Sequence, residues 1–371
     1  MYWDRKKPWS PLSPGRHLVG GLATLTTALL LMLIVALVVV YSSRTVLFEL
    51  RVSGNTYKYE QALGAAEAGL ETTLAQLNNG GPATPNRAAF FDFSSKKLLN
   101  ASPIQGKLSA TQSSYSVTLS QPDANDPLLL RAQAMGCADG CGSCSASCPV
   151  RTQVSQLLRI RPFVTNLPLD ALTAKGGVTL NGKTVVVANS AAGWAIHAGG
   201  PVLLQNGAQT SPPGGKTYAS DPAFTAPTPE QFFASFFSDT PDNIRAQATL
   251  LSSGQLPPQK SGGAFWIEGD ATLPGNNASY GTPGQPILLI VNGNLSANGD
   301  NTVYGLVYVI GVGGAWANNG AGTLTIVGAL VSQGSVTSTG APQLSMDSTV
   351  LQALPLSTGV ASKVMGSWRD F

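Results

Sequence analysis

Histidine and cysteine are scarce: two and four among 371 residues. His17 lies near the N-terminus and His197 stands alone, so a Ser-His-Asp arrangement or a histidine-rich metal site lacks its members. His197 reads as a satisfied structural residue. No phosphate-cradling Gly-Lys loop, nucleophile elbow or dinucleotide fingerprint occurs. The chain therefore reads as a non-enzyme with no cofactor and no metal. Charge is sparse too, at 11% of residues. Without residues 1–21, 18 basic and 18 acidic residues remain, a neutral balance that predicts no broad nucleic-acid-binding face, although a local patch stays open. Asp123-Ala-Asn125-Asp126 reads as solvated turn chemistry rather than a calcium site.

One long apolar run is present. Leu22 to Tyr41 carries no charge, and about 20 such residues span a bilayer core as a helix. Arg5, Lys6, Lys7 and Arg16 precede it, which keeps that side cytoplasmic and exports everything after Tyr41. A secretory signal peptide has a shorter core and a small-residue cleavage site, whereas this run continues into Ser42, Ser43 and Arg44. Gly20-Gly21 lies before the apolar run instead. That order resembles a class III prepilin, in which a peptidase cuts after the glycine; Gly21 and Leu22 then flank the processing site, and Leu22 becomes the methylated mature N-terminus. A plain signal anchor shares the hydrophobicity and the basic flank.

Leu63, Ala66, Leu70, Leu74 and Leu77 recur at helical spacing, so the helix is expected to continue to Leu77, with Gly54 as the place where it could loosen. Glu49-Leu-Arg51-Val-Ser-Gly54-Asn55, followed by Ala62-Leu-Gly-Ala-Ala66-Glu67-Ala68-Gly-Leu70, resembles the N-terminal signature of the PilX family of type IV pilus minor pilins, an E-x-R-x-x-G-N element and then A-x-x-A-A-E-A-x-L. The resemblance covers about the first 80 residues. Thr26 stands at the fifth mature position, where major pilins carry a glutamate that pairs with a neighbouring N-terminus. A carboxylate in lipid is costly, so threonine eases membrane residence and removes one docking contact. The resemblance implies a subunit of the tip or initiation complex rather than the shaft.

Five segments follow: a leader at 1–21, a transmembrane and amphipathic helix at 22–78, a β head at 79–165, a β-rich region at 166–350 and a tail at 351–371. The expected fold class is α+β, a long N-terminal helix packed on an antiparallel pilin-type sheet, followed by a β-rich domain. Head strands are expected at Tyr115–Leu119, Leu128–Met135 and Thr152–Phe163. Between the last two lie Cys137, Cys141, Cys144 and Cys148, spaced C-x3-C-x2-C-x3-C. Four thiolates could hold a metal, but an exported, even set favours two disulfides, with nested pairs Cys137–Cys148 and Cys141–Cys144 as one of three connectivities. From Leu167, short apolar runs alternate with Asn-Gly and Gly-Gly turns. They fit coils of a parallel β-solenoid or a sandwich of Asn-Gly hairpins. A Pro-rich insertion at about 209–263 predicts helices near Pro229–Phe237 and Pro241–Ser252, with a phenylalanine stripe plugging the β region or docking a partner. Trp368 and its neighbours resemble PilX-type endings, and are expected to fold back on the head.

The reading that results is a minor pilin that primes type IV pilus assembly and sits at or near the tip, supporting adhesion and twitching motility or uptake. The resemblance implies other minor and major pilins, a PilY-type tip adhesin, the prepilin peptidase and the inner-membrane assembly platform as partners. It also implies a single-pass inner-membrane location with the C-terminal region periplasmic, then extracellular on the pilus. A DNA- or glycan-binding surface receptor on a pilin anchor and a type II secretion pseudopilin are the alternatives.

Overall fold

The computed structural model describes residues 18–78, 87–93, 95–99, 102–138, 140–188, 193–211, 216–274, 277–311, 316–318 and 323–370. Residues 1–17 of the expected leader lie outside this set, as do the side chains of residues 18–23. Contacts divide the chain into two units, one ending at Gln61 and one beginning at Ala62.

Helix α1 spans Leu18–Leu77. It contains no proline, and at 1.5 Å per residue it is about 90 Å long. Thr24–Leu77 is long and apolar enough to cross a membrane. The hydroxyls of Thr27, Thr45 and Thr56 donate to carbonyls three or four residues back, at 3.0, 3.1 and 3.0 Å, which lets threonine lie in an apolar helix with its polar group satisfied. The backbone hydrogen bonding runs unbroken through Gly54, the place where the helix could loosen.

In the second unit, α1 packs on an antiparallel sheet in the order Val360–Lys363, Arg151–Arg161, Leu129–Cys137, Ser113–Ser120, Ile104–Leu108. The three middle strands follow the apolar alternation of the sequence. Val117 faces Ala134, which faces Val154, and Leu130 faces Leu158; all five are buried with Ala66, Leu70 and Leu77 of α1. The tail at 351–371 folds back on the head as expected, and does so by joining its sheet. Val360–Lys363 adds an edge strand to Arg151–Arg161, and Arg369–Asp370 pairs with the same strand further along. Trp368 remains 43% exposed. The cause lies at the end of α1: the Asn78 side chain donates to the Ala361 carbonyl (2.7 Å) and accepts from its N–H (2.6 Å).

Between Arg161 and the tail the strands pair in parallel. Leu172–Ala174 lies beside Trp194–Ala198 on one side and Leu324–Ser332 on the other. The stack continues through Asn301–Val309, Ile287–Asn292, Gly263–Glu268 and Thr249–Ser252. The chain thus starts within the stack, builds one way, crosses to the far end through residues 221–248, and returns to meet its first turn. Every pairing between named strands here is parallel among the described residues, whereas a sandwich of Asn-Gly hairpins requires antiparallel neighbours. The Asn-Gly pairs stack instead, with Asn206 Nδ2 donating to Asn181 Oδ1 at 2.7 Å. Asp170, Asp270 and Asp300 each accept a backbone N–H from the next turn of chain, from Trp194, Asn294 and Thr323 at 2.6–2.7 Å.

The crossing segment holds α2, Pro229–Ala234, and α3, Pro241–Gln247. Each starts with proline behind a threonine N-cap, where proline's missing N–H costs nothing; Thr228 and Gln231 complete a capping box. The insertion is narrower than the expected 209–263, because Gln209–Ser211, Lys216–Ser220 and Thr249–Ser252 all join the parallel stack. Phe233 and Phe237 stack at 4.0 Å and meet the Tyr308 ring edge-on at 5.2 and 5.0 Å. The phenylalanines therefore cover the side of the β stack. Last, α4, Ser348–Thr358, is capped by Asp347. Its Leu351 and Leu354 join the core of the parallel region, while Ala353 and Leu356 join that of the antiparallel sheet.

Candidate functional site

The two elements of the helix signature serve different surroundings. Glu49, Arg51 and Asn55 are exposed along α1, and a Cβ on Gly54 would meet no atom within 4 Å. Thr26 is likewise exposed. Ala62, Ala65, Ala66 and Gly69 are buried against the sheet. A Cβ on Gly136 of the Leu129–Cys137 strand would lie 1.9 Å from the Ala62 carbonyl oxygen and 2.6 Å from the Ala66 nitrogen, so helix and strand touch backbone to backbone. Small residues are required on both sides of such a contact. Glu67 points away from this seam and lines a shallow cleft with Glu71, Gln156 and Lys363; Lys363 forms an ion pair with Glu71.

Gly136 carried no signal in the sequence beyond being a glycine in a strand. Arg87 was also missed. Its Nε donates to the Leu77 carbonyl (2.8 Å), joined there by Nη2, and its Nη1 donates to that of Leu356 (2.9 Å). One guanidinium thus caps the end of α1 and bonds the last turn of α4, where carbonyls lack helical partners and the dipole favours a cation. Burial pulls its pKa down to about 10.

The cysteine loop departs from the nested pairing. A disulfide joins Cys137 to Cys144, which uses two of the thiols that a four-thiolate metal site would need. Cys148 is hydrogen-bonded to Cys141. Burial raises its pKa, but the bonds to Cys141 and Ser145 and the charge of Arg151 outweigh burial and lower it. Nesting fails because the strand ending at Cys137 places that residue beside Cys144 rather than Cys148. Non-reducing peptide mapping is expected to return Cys137–Cys144 with Cys141–Cys148; recovery of Cys137–Cys148 would refute this pairing. For so short a loop, reduction should cost about 2–3 kcal/mol of stability.

Asp123 and Asp126 accept the N–H groups of Asn125 and Leu128, at 2.8 and 3.2 Å, and Asp126 pairs with Arg159. That is turn chemistry. His197 sits between Asp170 (3.1 Å) and Asp221 (3.6 Å) with Phe224 against its ring, tying successive turns of the parallel stack.

A cleft of about 1050 Å³ opens between the α2–α3 segment and the stack. Glu268 organises it. Its Oε2 accepts from Arg245 Nε (2.8 Å) and Trp266 Nε1 (2.9 Å), and its Oε1 accepts from Asn292 Nδ2 (2.8 Å). The Arg245 bond leads in lowering the Glu268 pKa below the usual 4.5.

Residues 20–71 match the family described as PilX N-terminal. The N-terminal region is thus similar to that of PilX-type pilins. The matched stretch lies within α1 and contains both signature elements, Glu49–Asn55 and Ala62–Leu70. A crystal structure of the competence-associated pilin ComZ from Thermus thermophilus is similar over 85% of this chain and 98% of that one, at 14% identity and a TM-score of 0.26. No curated protein matches the chain.

Proposed function

We propose that this PilX-type chain is a type IV pilus minor pilin that helps prime assembly and stands at or near the pilus tip. The match of residues 20–71 to the PilX N-terminal family carries the reading. It is supported by the exposed Glu49–Asn55 surface of α1, which leaves these polar groups for neighbouring helices. The inferred partners are other minor and major pilins, a PilY-type tip adhesin, the prepilin peptidase and the inner-membrane assembly platform. The inferred location is the inner membrane in single-pass form, then the extracellular pilus. We also infer that the parallel region is a β-solenoid, whose turns bury their inward residues against one another. Its role is surface contact in adhesion, twitching motility or uptake rather than catalysis. Deleting the gene should reduce surface pili and twitching, and complementation by a Gly21→Leu variant should fail. In that variant the full-length precursor should accumulate in the membrane, whereas mass spectrometry of the wild-type protein should find Leu22 at the N-terminus. An intact Met1 in the wild-type pilus fraction would refute the processing, and normal piliation in the deletion strain would refute the role.

A further inference from the structure

A second cleft, of about 330 Å³, lies where the tail meets Leu129–Cys137 and Arg151–Arg161. The tail builds its wall. The Val364 N–H donates to the Leu157 carbonyl (2.9 Å) and the Leu157 N–H to Ser367 Oγ (3.1 Å), so the chain between Lys363 and Arg369 stands out from the sheet, with Met365 96% exposed. Register sets the contents. Arg369, Ser155 and Gln133 lie opposite one another on three adjoining strands, and Arg131 follows two residues along, opposite Leu157. Because successive residues alternate faces, these side chains share the face opposite to that of Val154 and Leu130, which pack on α1.

Ser155 is only 7% exposed, yet its hydroxyl has no hydrogen-bond partner among the described residues. A buried hydroxyl left in that state costs free energy. The Arg131 and Arg369 guanidiniums and the Gln133 amide line the same cleft, and among the described residues they too make no side-chain hydrogen bond or ion pair. The neighbouring charges leave this excess of cation in place. Arg159 is paired with Asp126 at 3.2 Å, Arg151 donates to the Cys148 carbonyl (3.1 Å), and Arg161 faces Asp239. Asp370 lies opposite Val154, on the face of the sheet turned to α1. Among the described residues no carboxylate lines the cleft.

We propose that this cleft binds an acidic saccharide of the uronate type. The two guanidiniums fork a carboxylate, Gln133 and Ser155 bond ring hydroxyls, and Leu157 and Met365 meet the C–H face of the sugar. The volume falls in the range of small-molecule sites, with room for a ring beyond the acid group. No aromatic ring lines the cleft among the described residues, so a nucleobase finds no stacking platform. Two free arginines also fall short of the run of cations that tracks a phosphate backbone. The site lies on the antiparallel sheet, apart from the parallel region given the surface-contact role above. It does not require the assembly role, so a purified chain tests it independently of piliation.

The full chain in detergent, titrated calorimetrically with galacturonic acid trimer, should bind it, and the methyl-esterified trimer should bind about ten-fold more weakly. The double variant Arg131→Gln/Arg369→Gln should keep its melting temperature, since neither guanidinium holds another residue, and lose about ten-fold or more in affinity. Ser155→Ala should be no less stable and bind about five-fold more weakly. Lys107→Gln, exposed on the same sheet but outside the cleft, should bind as the wild type does. No binding of the trimer, equal binding of the ester, or undiminished binding by the double variant or by Ser155→Ala would each overturn the proposal. An equal loss in Lys107→Gln would overturn it as unspecific attraction. Tighter binding of inorganic phosphate, or of a single-stranded DNA oligomer lost in the same double variant, would overturn it and assign the cleft to phosphate groups.

Discussion

Replacing Gly328 by alanine should melt the parallel region at a far lower temperature than in the wild-type chain. Gly305 and Gly328 pair across neighbouring turns and lie at φ +137° and +139°, a region that L side chains rarely adopt. A Cβ on Gly328 would sit 2.0 Å from the Gly305 carbonyl oxygen, and one on Gly305 would sit 1.9 Å from that of Ile287. The reason is a corner. In the preceding turn, Ala278–Tyr280 and Ile287–Asn292 are separate strands joined by residues 281–286, whereas Asn301–Val309 pairs with both as one strand. Gly305 makes in a single residue the bend that residues 281–286 make in the turn before, and Gly328 repeats it. Backbone strain together with the clash places the cost at about 3–5 kcal/mol. Gly54→Ala is the control: it has open space around it and gains roughly 1 kcal/mol of helix propensity. Denaturation and limited proteolysis of the full chain should show Gly328→Ala unfolding early and Gly54→Ala unchanged or more stable. Equal midpoints for all three proteins would refute the corner argument.

Gly136→Val should unseat the antiparallel sheet from α1. The distances of 1.9 and 2.6 Å from its Cβ position to Ala62 and Ala66 are to backbone atoms, which no rotamer change relieves, so the sheet must move off the helix or the helix must bend. Overpacking at a rigid contact costs about 3 kcal/mol or more. Protease sensitivity should appear first in the 102–161 strands, and association with other pilins should fall with it if the seam positions the assembly helix. Ala62→Leu should act in the same direction from the other side. Wild-type proteolysis of both variants would show that the seam tolerates separation.

Those two glycines mark where sequence reading stopped. The apolar run from Leu22, the Leu63–Leu77 periodicity and the three alternating head strands are local patterns with fixed periods, and each corresponds to an observed element within a few residues. The signature alanines were legible as a motif, but their physical purpose appears only with Gly136 against them. The capped starts of α2 and α3 were equally local, because threonine and proline act within one turn.

Pairing was decided by the tertiary structure. A strand pattern says which side chains face inward and nothing about which strand lies alongside. Leu172 finding Leu330 as well as Ile196 depends on the chain crossing to the far end of the stack and winding back. The same holds for Cys137 with Cys144, for the tail returning to Arg151–Arg161 through Asn78, and for Arg87 linking α1 to α4. The cleft around Glu268 joins residues from four separate segments. By itself the sequence determined a membrane-capable helix with a PilX-like signature and a β-rich remainder, since hydropathy, motif spacing and short-range periodicity are properties of the chain alone. The order of winding, the disulfide and the cleft rest on contacts between distant segments, whose energies exist only once the backbone has closed around them.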